Sequence, residues 1–487
     1  YASTTVTPPG GAAASLRGNS NAFVVKPFSF VLGGVQCQGA TANPGAADAQ
    51  GGKFCPAGED FSLTVTAVAS GGVATPNYGR EVMAESVRLL PTLVGGLGLA
   101  ANPAVAGNFG AFSNGVASGN AFSWGEVGII TLQPGVGDSD YLGAGDVLGA
   151  ASGNIGRFYP YAYTLDASAV SNRPTACAPG MGSFTYIGEP DLRLDLTLSA
   201  RNKQNGVTEN YRSSATAANN FAKLNTGAQF KLAAASGATQ FPEGASSRYT
   251  GFVGSATADV APTWANGSSA LRIYSRLARA VGFEEFLPTF TPGIRPVDSD
   301  NVGLQVYSGS AWSAAWDLDT DASVGNDHKL VGVTELRSGR VRLQNANGSE
   351  LLPLPVPLQI QYWSGATQGW QLNAADTCTK IEATNFAFSF GGNLSACETR
   401  IQVGGAAPSY TATLSAPGAG NSGWADLTLN LGATGSGTQC AVGGGTATAA
   451  APWLQFNWKG SVENPTARAT FGVVRSGPVI HRREVFR

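Results

Sequence analysis

Charge is scarce in this chain: Asp, Glu, Lys and Arg make up 13% of its 487 residues, about half the share usual in soluble proteins. Long exposed helices carry Glu, Lys and Arg on their outer faces, so the deficit argues against a helical fold. Histidine occurs only twice, at His328 and His481, and no two cysteines form a CxxC pair; both facts argue against a zinc site. No apolar stretch reaches the ~18–20 residues of a membrane-spanning helix. Net charge is −2, and neither sign forms a run. The basic stripe of a nucleic-acid binder and the polybasic cluster of a membrane-surface protein are both missing. A leader pattern is missing too, and the first residue is Tyr1 rather than Met, which reads as a mature or excised product.

What replaces charge is Gly, with 65 residues, together with Ser, Thr, Ala and Asn. Short strands joined by many turns need that composition. Hydrophobic residues at 43% suffice for sizeable cores, which excludes wholesale disorder. The length suggests about three domains.

An internal repeat marks two of them. Pro27-Phe28-Ser29-Phe30, Phe61–Ala67, Gly72-Val73 and Asn77-Tyr78 recur as Pro160-Tyr161-Ala162-Tyr163, Leu194–Ala200, Gly206-Val207 and Asn210-Tyr211, at an offset of 133 (194 − 61, 210 − 77), or 134 for the Gly-Val pair (206 − 72). Phe61, Leu63, Val65 and Ala67 alternate with polar residues, as do Leu194, Leu196, Leu198 and Ala200, which is the pattern of a half-buried strand. The expected fold is all-β: tandem immunoglobulin-like β-sandwich domains with long loops and few short helices. The expected layout is an N-terminal arm at 1–22, sandwiches at 23–155 and 156–290, and a C-terminal β domain at 291–487. Arg80–Leu90, ending on Pro91, is a candidate short helix, and Leu271–Val281 reads as strand or helix. Leu351–Pro357, interrupted by three prolines, must be an edge strand or extended linker. Val356–Trp363 and Gly339–Leu343 alternate as strands, while Gly/Ala-rich 1–20, 100–120 and 432–450 read as loops or arms.

The six cysteines, Cys37, Cys55, Cys177, Cys378, Cys397 and Cys440, suggest disulfides and an oxidising compartment. Loop closure favours near neighbours, so the expected pairs are Cys37–Cys55 and Cys378–Cys397, leaving Cys177–Cys440. Asp317, Asp319 and Asp321 alternate as a calcium loop requires, although Ala322 and His328 depart from the helix-loop-helix version. Such a site would draw on Asn326 or Asp327; the plain alternative is a solvated acidic turn. No GxSxG accompanies the two histidines, and Glu284-Glu285 reads as a solvated turn, so the chain is expected not to be an enzyme. Paired carboxylates of a surface glycoside hydrolase are a spatial matter that sequence leaves open. Trp312, Trp316, Trp363 and Trp370 either pack in cores and plug strand edges or line a sugar-binding face.

Across nearly the whole chain the sequence resembles the C-terminal region of MshQ-like proteins, encoded with the mannose-sensitive haemagglutinin (MSHA) type IV pilus. The resemblance rests on Lys26-Pro27-Phe28-Ser29-Phe30, Gly58-Glu59-Asp60-Phe61, Asn77-Tyr78-Gly79-Arg80-Glu81, Gly125-Glu126-Val127-Gly128, Gly156-Arg157-Phe158-Tyr159-Pro160 and Phe184-Thr185-Tyr186-Ile187-Gly188. It continues through Gly339–Leu351, Asp376-Thr377-Cys378-Thr379 and Arg468-Ala469-Thr470-Phe471-Gly472. It implies an extracellular bacterial surface protein, structural or adhesive, associated with a pilus or other filament, and it supplies no catalytic residues. The partners expected are pilus proteins, other copies of the chain through the N-terminal arm, and a surface glycan; no cofactor other than calcium is implied.

Overall fold

The computed structural model describes residues 2–280, 284, 286–318, 328–432, 437–443, 451–458 and 461–472. Among these the fold is all-β, and its only helical pieces are single 3-10 turns. Contacts divide the chain into two compact units. One comprises Tyr1–Tyr163, Ala200–Lys223 and Trp264–Ser268; the other comprises Thr164–Ser199, Leu224–Thr263 and Ser269–Arg487.

The arm is a hairpin of β1 (Ala2–Val6) and β2 (Ala14–Gly18). Pro8-Pro9-Gly10-Gly11 reverses the chain: Gly11 N–H donates to the Pro8 carbonyl at 3.0 Å, and Gly10 holds φ at 79°. The Ala/Ser run after this turn, expected to be loop or arm, is therefore a strand, because the turn hands β1 an immediate partner. Every residue of β2 is exposed.

The first sandwich contains β3 (Ser29–Cys37), β4 (Thr41–Ala42), β5 (Phe61–Val68), β6 (Val87–Leu93), β7 (Val116–Phe122), β8 (Gly128–Val136) and β9 (Ile155–Phe158). Its sheets run β4-β3-β5-β7 and β6-β8-β9. Phe61, Leu63, Val65 and Ala67 of β5 point inward, as do Ile130 and Leu132 of β8, and Trp124, Phe122 and Phe158 complete the core. The candidate helix at Arg80–Leu90 is absent. Val87, Leu89, Pro91 and Leu93 keep a period of two, and β6 is an edge strand, where a proline is tolerated. Likewise β7 occupies part of the stretch expected to be loop.

Next come β10 (Ala162–Asn172), β11 (Thr185–Tyr186), β12 (Leu192–Arg201), β13 (Phe230–Ser236), β14 (Thr239–Phe241), β15 (Tyr249–Val253), β16 (Ser268–Leu277), β17 (Leu287–Pro296), β18 (Gln305–Ser308), β19 (Ala311–Ala314), β20 (Lys329–Leu330) and β21 (Thr334–Arg337). They form a sheet β10-β12-β16-β15, a sheet β11-β21-β17-β13-β14 with β20 on β17, and the hairpin β18-β19. Leu271–Leu277 is thus strand throughout.

The repeat is visible in individual hydrogen bonds. Phe28 N–H donates to Val68 O and Thr75 N–H to Ala67 O; 133 positions later Tyr161 donates to Arg201 O and Thr208 to Ala200 O. Each segment also has an Asn-Gly turn with both residues at positive φ, Asn114-Gly115 and Asn266-Gly267, the backbone that a tight two-residue hairpin demands. Glu126 fixes the second Asn-Tyr corner: its buried carboxylate accepts the N–H groups of Val127, Glu209 and Asn210 at 2.7–3.1 Å.

The C-terminal sandwich comprises β22 (Gly339–Leu343), β23 (Ala346–Gly348), β24 (Leu354–Trp363), β25 (Trp370–Leu372), β26 (Phe386–Gly392), β27 (Ile401–Ala406), β28 (Ser409–Leu414), β29 (Gly423–Leu429), β30 (Phe456–Asn457), β31 (Val462–Glu463) and β32 (Thr466–Phe471). One sheet is β22-β24-β28-β27 with β25 also on β24; the other is β23-β32-β29-β26. Val341, Val356, Leu358, Ile360, Ala412 and Leu414 face Ala425, Leu427, Ala469, Phe386 and Phe388 across the core. Pro355 and Pro357 lie inside β24, not beyond it. The register with β22 ends at Leu343↔Leu358, while β28 continues to pair with Leu354–Gln359. The prolines' missing N–H groups thus fall where β24 is locally an edge.

Three disulfides join all six cysteines: Cys37–Cys55, Cys177–Cys378 and Cys397–Cys440. The expected Cys378–Cys397 and Cys177–Cys440 pairs are thereby corrected. Topology overrides sequence proximity, because the Cys440 carbonyl accepts the Ile401 N–H and the chain there runs alongside β27, next to Cys397. By loop-closure entropy, the 201-residue separation of Cys177–Cys378 stabilises the fold by roughly 5 kcal/mol, against about 3 kcal/mol for the 18-residue separation of Cys37–Cys55. Urea unfolding should therefore show C177A/C378A losing more stability than C37A/C55A. Non-reducing peptide mapping that returned Cys378 linked to Cys397 would contradict the pairing.

Candidate functional site: an arginine-aromatic sheet face

The period of two that buries Val341, Leu358 and Ile360 turns their neighbours outward. The register aligns Arg340 with Gln361 and Arg342 with Gln359, then Trp363 with Trp370 across β25, and Gln359 with Ser409 of β28. The outer face of this sheet therefore carries two arginines, two glutamines, two tryptophans and, further along, Ser409, Thr411, Thr413 and Gln402.

Arg340 organises it. Its Nε and Nη2 both donate to Gln361 Oε1, at 3.0 and 2.8 Å. The guanidinium carbon lies 4.1 Å from the Trp370 ring centre, 4.9 Å from Trp458 and 5.2 Å from Phe456. Trp363, Trp370, Phe456 and Trp458 form a chain of edge-on rings with neighbouring centres 5.0–5.6 Å apart. Burial pulls the Arg340 guanidinium down to about 10, and the charge of Arg342 adds to the effect. No carboxylate lies within ion-pair distance of either arginine among the described residues.

A buried polar network sets the position of β25. Arg173, almost wholly buried, donates to Glu189 Oε1 at 3.0 Å, Asp376 Oδ1 at 2.9 Å and Thr379 Oγ1 at 2.7 Å. Its guanidinium stacks on Tyr186 and Phe184, at 5.0 and 5.5 Å. Tyr186 Oη donates to Asp376 Oδ2 at 2.7 Å and accepts from Asn373 Nδ2 at 2.7 Å. Asn373 directly follows β25 and also takes an Arg337 N–H. Burial alone raises the Asp376 carboxyl, but Arg173, Thr379 and Tyr186 outweigh it and hold the group below the usual carboxylate range. Glu189 shares the same single cation with fewer donors, and burial pushes it up to about 7.

The residues singled out from sequence fall elsewhere. Asp317 accepts the Lys329 ammonium and the Leu330 N–H, whereas Asp319 and Asp321, like Asn326, Asp327 and His481, lie outside the described residues. Among the described residues, no three His, Cys, Asp or Glu side chains converge as metal ligands. His328 is fully buried, with Nε2 3.1 Å from Glu243, and Glu284 is bound by Arg248. Trp312 stacks on Tyr307 in the β18-β19 hairpin, while Trp363 and Trp370 meet on the solvent side of their sheet instead of joining a core. Sequence reasoning missed Arg340, Gln361, Phe456 and Trp458. The first two were legible in the outward phase of β22 and β24; the others come from a distant hairpin. A groove of about 510 Å³, lined by Ala167, Asp195, Thr197, Val260, Ala270 and Arg272 among others, has its one acid already paired to Arg272 at 3.3 Å. No helix among the described residues is long and apolar enough to cross a membrane.

Removing one partner of a buried ion pair costs roughly 3–5 kcal/mol, so D376N should lose about that much at neutral pH. A carboxyl held low stabilises the fold above its unfolded pKa and loses that contribution as pH falls through its folded value. The gap between D376N and the parent in urea unfolding should therefore close in strong acid. For Glu189, held high, the sign is opposite: its contribution declines as pH rises through about 7. A D376N cost below 1 kcal/mol, or one that stays constant down into acid, would contradict this assignment.

Comparison with known proteins gives a family but no activity. The chain has no match among curated proteins. The adhesin InvE of Yersinia pseudotuberculosis is 13% identical, covering 53% of this chain and 57% of that one, so the chain spans little more than half of the adhesin, with a TM-score of 0.22. The I9–I11 tandem of titin is 7% identical, covering 85% of this chain and 93% of that one, with a TM-score of 0.24. Models of the second, third and fourth domains of DUF6701 match residues 26–127, 126–324 and 337–485 in order, and the chain belongs to the DUF6701 family.

Proposed function

We propose that this chain is an extracellular structural or adhesive component of a bacterial surface filament, associated with an MSHA-like type IV pilus system, and that it has no catalytic role. The observation that carries the reading is the pairing of all six cysteines, one pair across 201 residues. Such cross-links form and persist in oxidising compartments, including cell surfaces. The β-sandwich is an architecture shared by many cell-surface domains. The low charge and the pilus resemblance of the sequence point the same way.

Contact with the filament falls to the N-terminal hairpin. A lone two-stranded hairpin is marginal in water, and β1-β2 has exposed edges with Val6 and Leu16 on its surface and exposed Phe23 and Val25 just behind it. Another copy or a pilus subunit can extend such an edge by strand addition. Negative-stain microscopy of surface filaments with an antibody to this chain is the test. Label along the shaft or at the tip supports the reading, and deletion of residues 2–18 should abolish the label while leaving the melting temperature unchanged. Bare filaments beside a labelled cell body would contradict it.

A further inference from the structure

The outer face of the β22-β24-β28-β27 sheet has the chemistry of a ligand surface whose ligand has a definite charge. Its polar groups are planar or hydroxylic: Arg340, Arg342, Gln359 and Gln361 on two strands, Ser409 and Thr411 on the third. Two arginines two residues apart put their side chains on one face about 7 Å apart, and no acid among the described residues answers them. Arg340 is held rigid by Gln361 and three rings, so its orientation is set before any ligand arrives. Arg342 is exposed, and its side chain makes no hydrogen bond, ion pair or ring contact with another described residue. Removing an unpaired guanidinium from water is costly, and a half-buried one beside a second cation is stable only in modest measure. An incoming carboxylate relieves both. Guanidinium forks match carboxylates in bidentate fashion.

The aromatic half of the face adds a second requirement. Trp458 is 37% exposed and presents apolar ring area beside polar groups, at the end of the ring chain that continues through Phe456 to the half-buried Trp370 and Trp363. Trp458 also lines an edge cavity of about 270 Å³ with Leu343, Pro465 and Thr466. A ligand meeting all of this has apolar faces to stack, hydroxyls for Gln and Ser/Thr, and a carboxylate for the arginines. From β22 across to β27 the face spans about 14 Å, three strand spacings, which suits an extended chain better than a single small molecule. Nucleic acid and anionic membrane both call for a larger basic patch than two arginines.

We infer that the outer face of the C-terminal sandwich binds acidic polysaccharide, its tryptophans stacking on sugar rings and Arg340 and Arg342 holding carboxylates. This deepens the adhesive reading by naming the class of ligand, and it rests on that reading.

Tryptophan fluorescence and calorimetry on the whole chain should show binding of a uronic-acid oligosaccharide, such as a hyaluronan fragment, but not of a neutral chito-oligosaccharide of the same length. Binding should weaken as salt rises. R342A, on an exposed side chain, should melt at the parental temperature and bind at least tenfold more weakly; W458A should weaken binding as well. Equal binding of the neutral sugar, equal binding of anionic phospholipid vesicles, or unaltered affinity in R342A would each overturn the inference. If filament labelling succeeds while uronic-acid binding fails, the ligand class alone is wrong and the filament role stands.

Discussion

One buried guanidinium sets the terms for the C-terminal half of this protein. Arg173 has lost nearly all contact with water, and a charge in that position must be compensated by geometry. Two carboxylates, a threonine hydroxyl and two aromatic faces supply the compensation. Because Asp376 and Thr379 come from a segment some 200 positions away, satisfying Arg173 also fixes that segment. The Cys177–Cys378 bridge lies beside it and closes the same long loop covalently. The order of Asn373, and of β25 before it, follows from the chain of hydrogen bonds through Tyr186.

That order reaches the solvent face of the sheet. Trp370 sits on β25, three residues before Asn373, and is the ring that Arg340 approaches most closely. An interior arrangement of charge thus determines the geometry of an exterior one. The three arginines contrast in a way that separates structure from function. Arg173 is paired with two acids, and its charge is spent on the fold; Arg340 and Arg342 have none among the described residues, and their charge is turned outward.

Local patterns were legible in the sequence, and long-range ones were not. Alternation at Phe61–Ala67, Leu194–Ala200 and Gly339–Leu343 identified inward strands, because a period of two has one physical cause. The repeat offset appears again in the hydrogen bonds of Thr75 and Thr208. Pro91 reads as a helix stop after Arg80–Leu90, yet an edge strand can hold it, and the segment from Val87 is the edge strand β6. The prolines of Leu351–Pro357 fit the expected edge strand: Pro355 and Pro357 sit where β24 has one neighbour rather than two. Two disulfides were mispaired because proximity along the chain governs loop closure in the unfolded state, whereas the sheets decide which cysteines meet. Nothing near Arg173 in sequence announces its acids, which lie 16 and 203 positions away. The binding face was half legible: Arg340, Arg342, Gln359 and Gln361 share a phase that could be read, but Phe456 and Trp458 arrive from a separate hairpin.

The position of β25, and through it of Trp370, depends on the Arg173 network. Hydrogen exchange of the amides at 370–373 in R173M measures this directly, with the core amides of β29 as the internal reference. Exchange at 370–373 should speed up by at least an order of magnitude while β29 stays protected, and the near-ultraviolet tryptophan signal should fall with it. Unchanged protection at 370–373 in a folded R173M would contradict the claim.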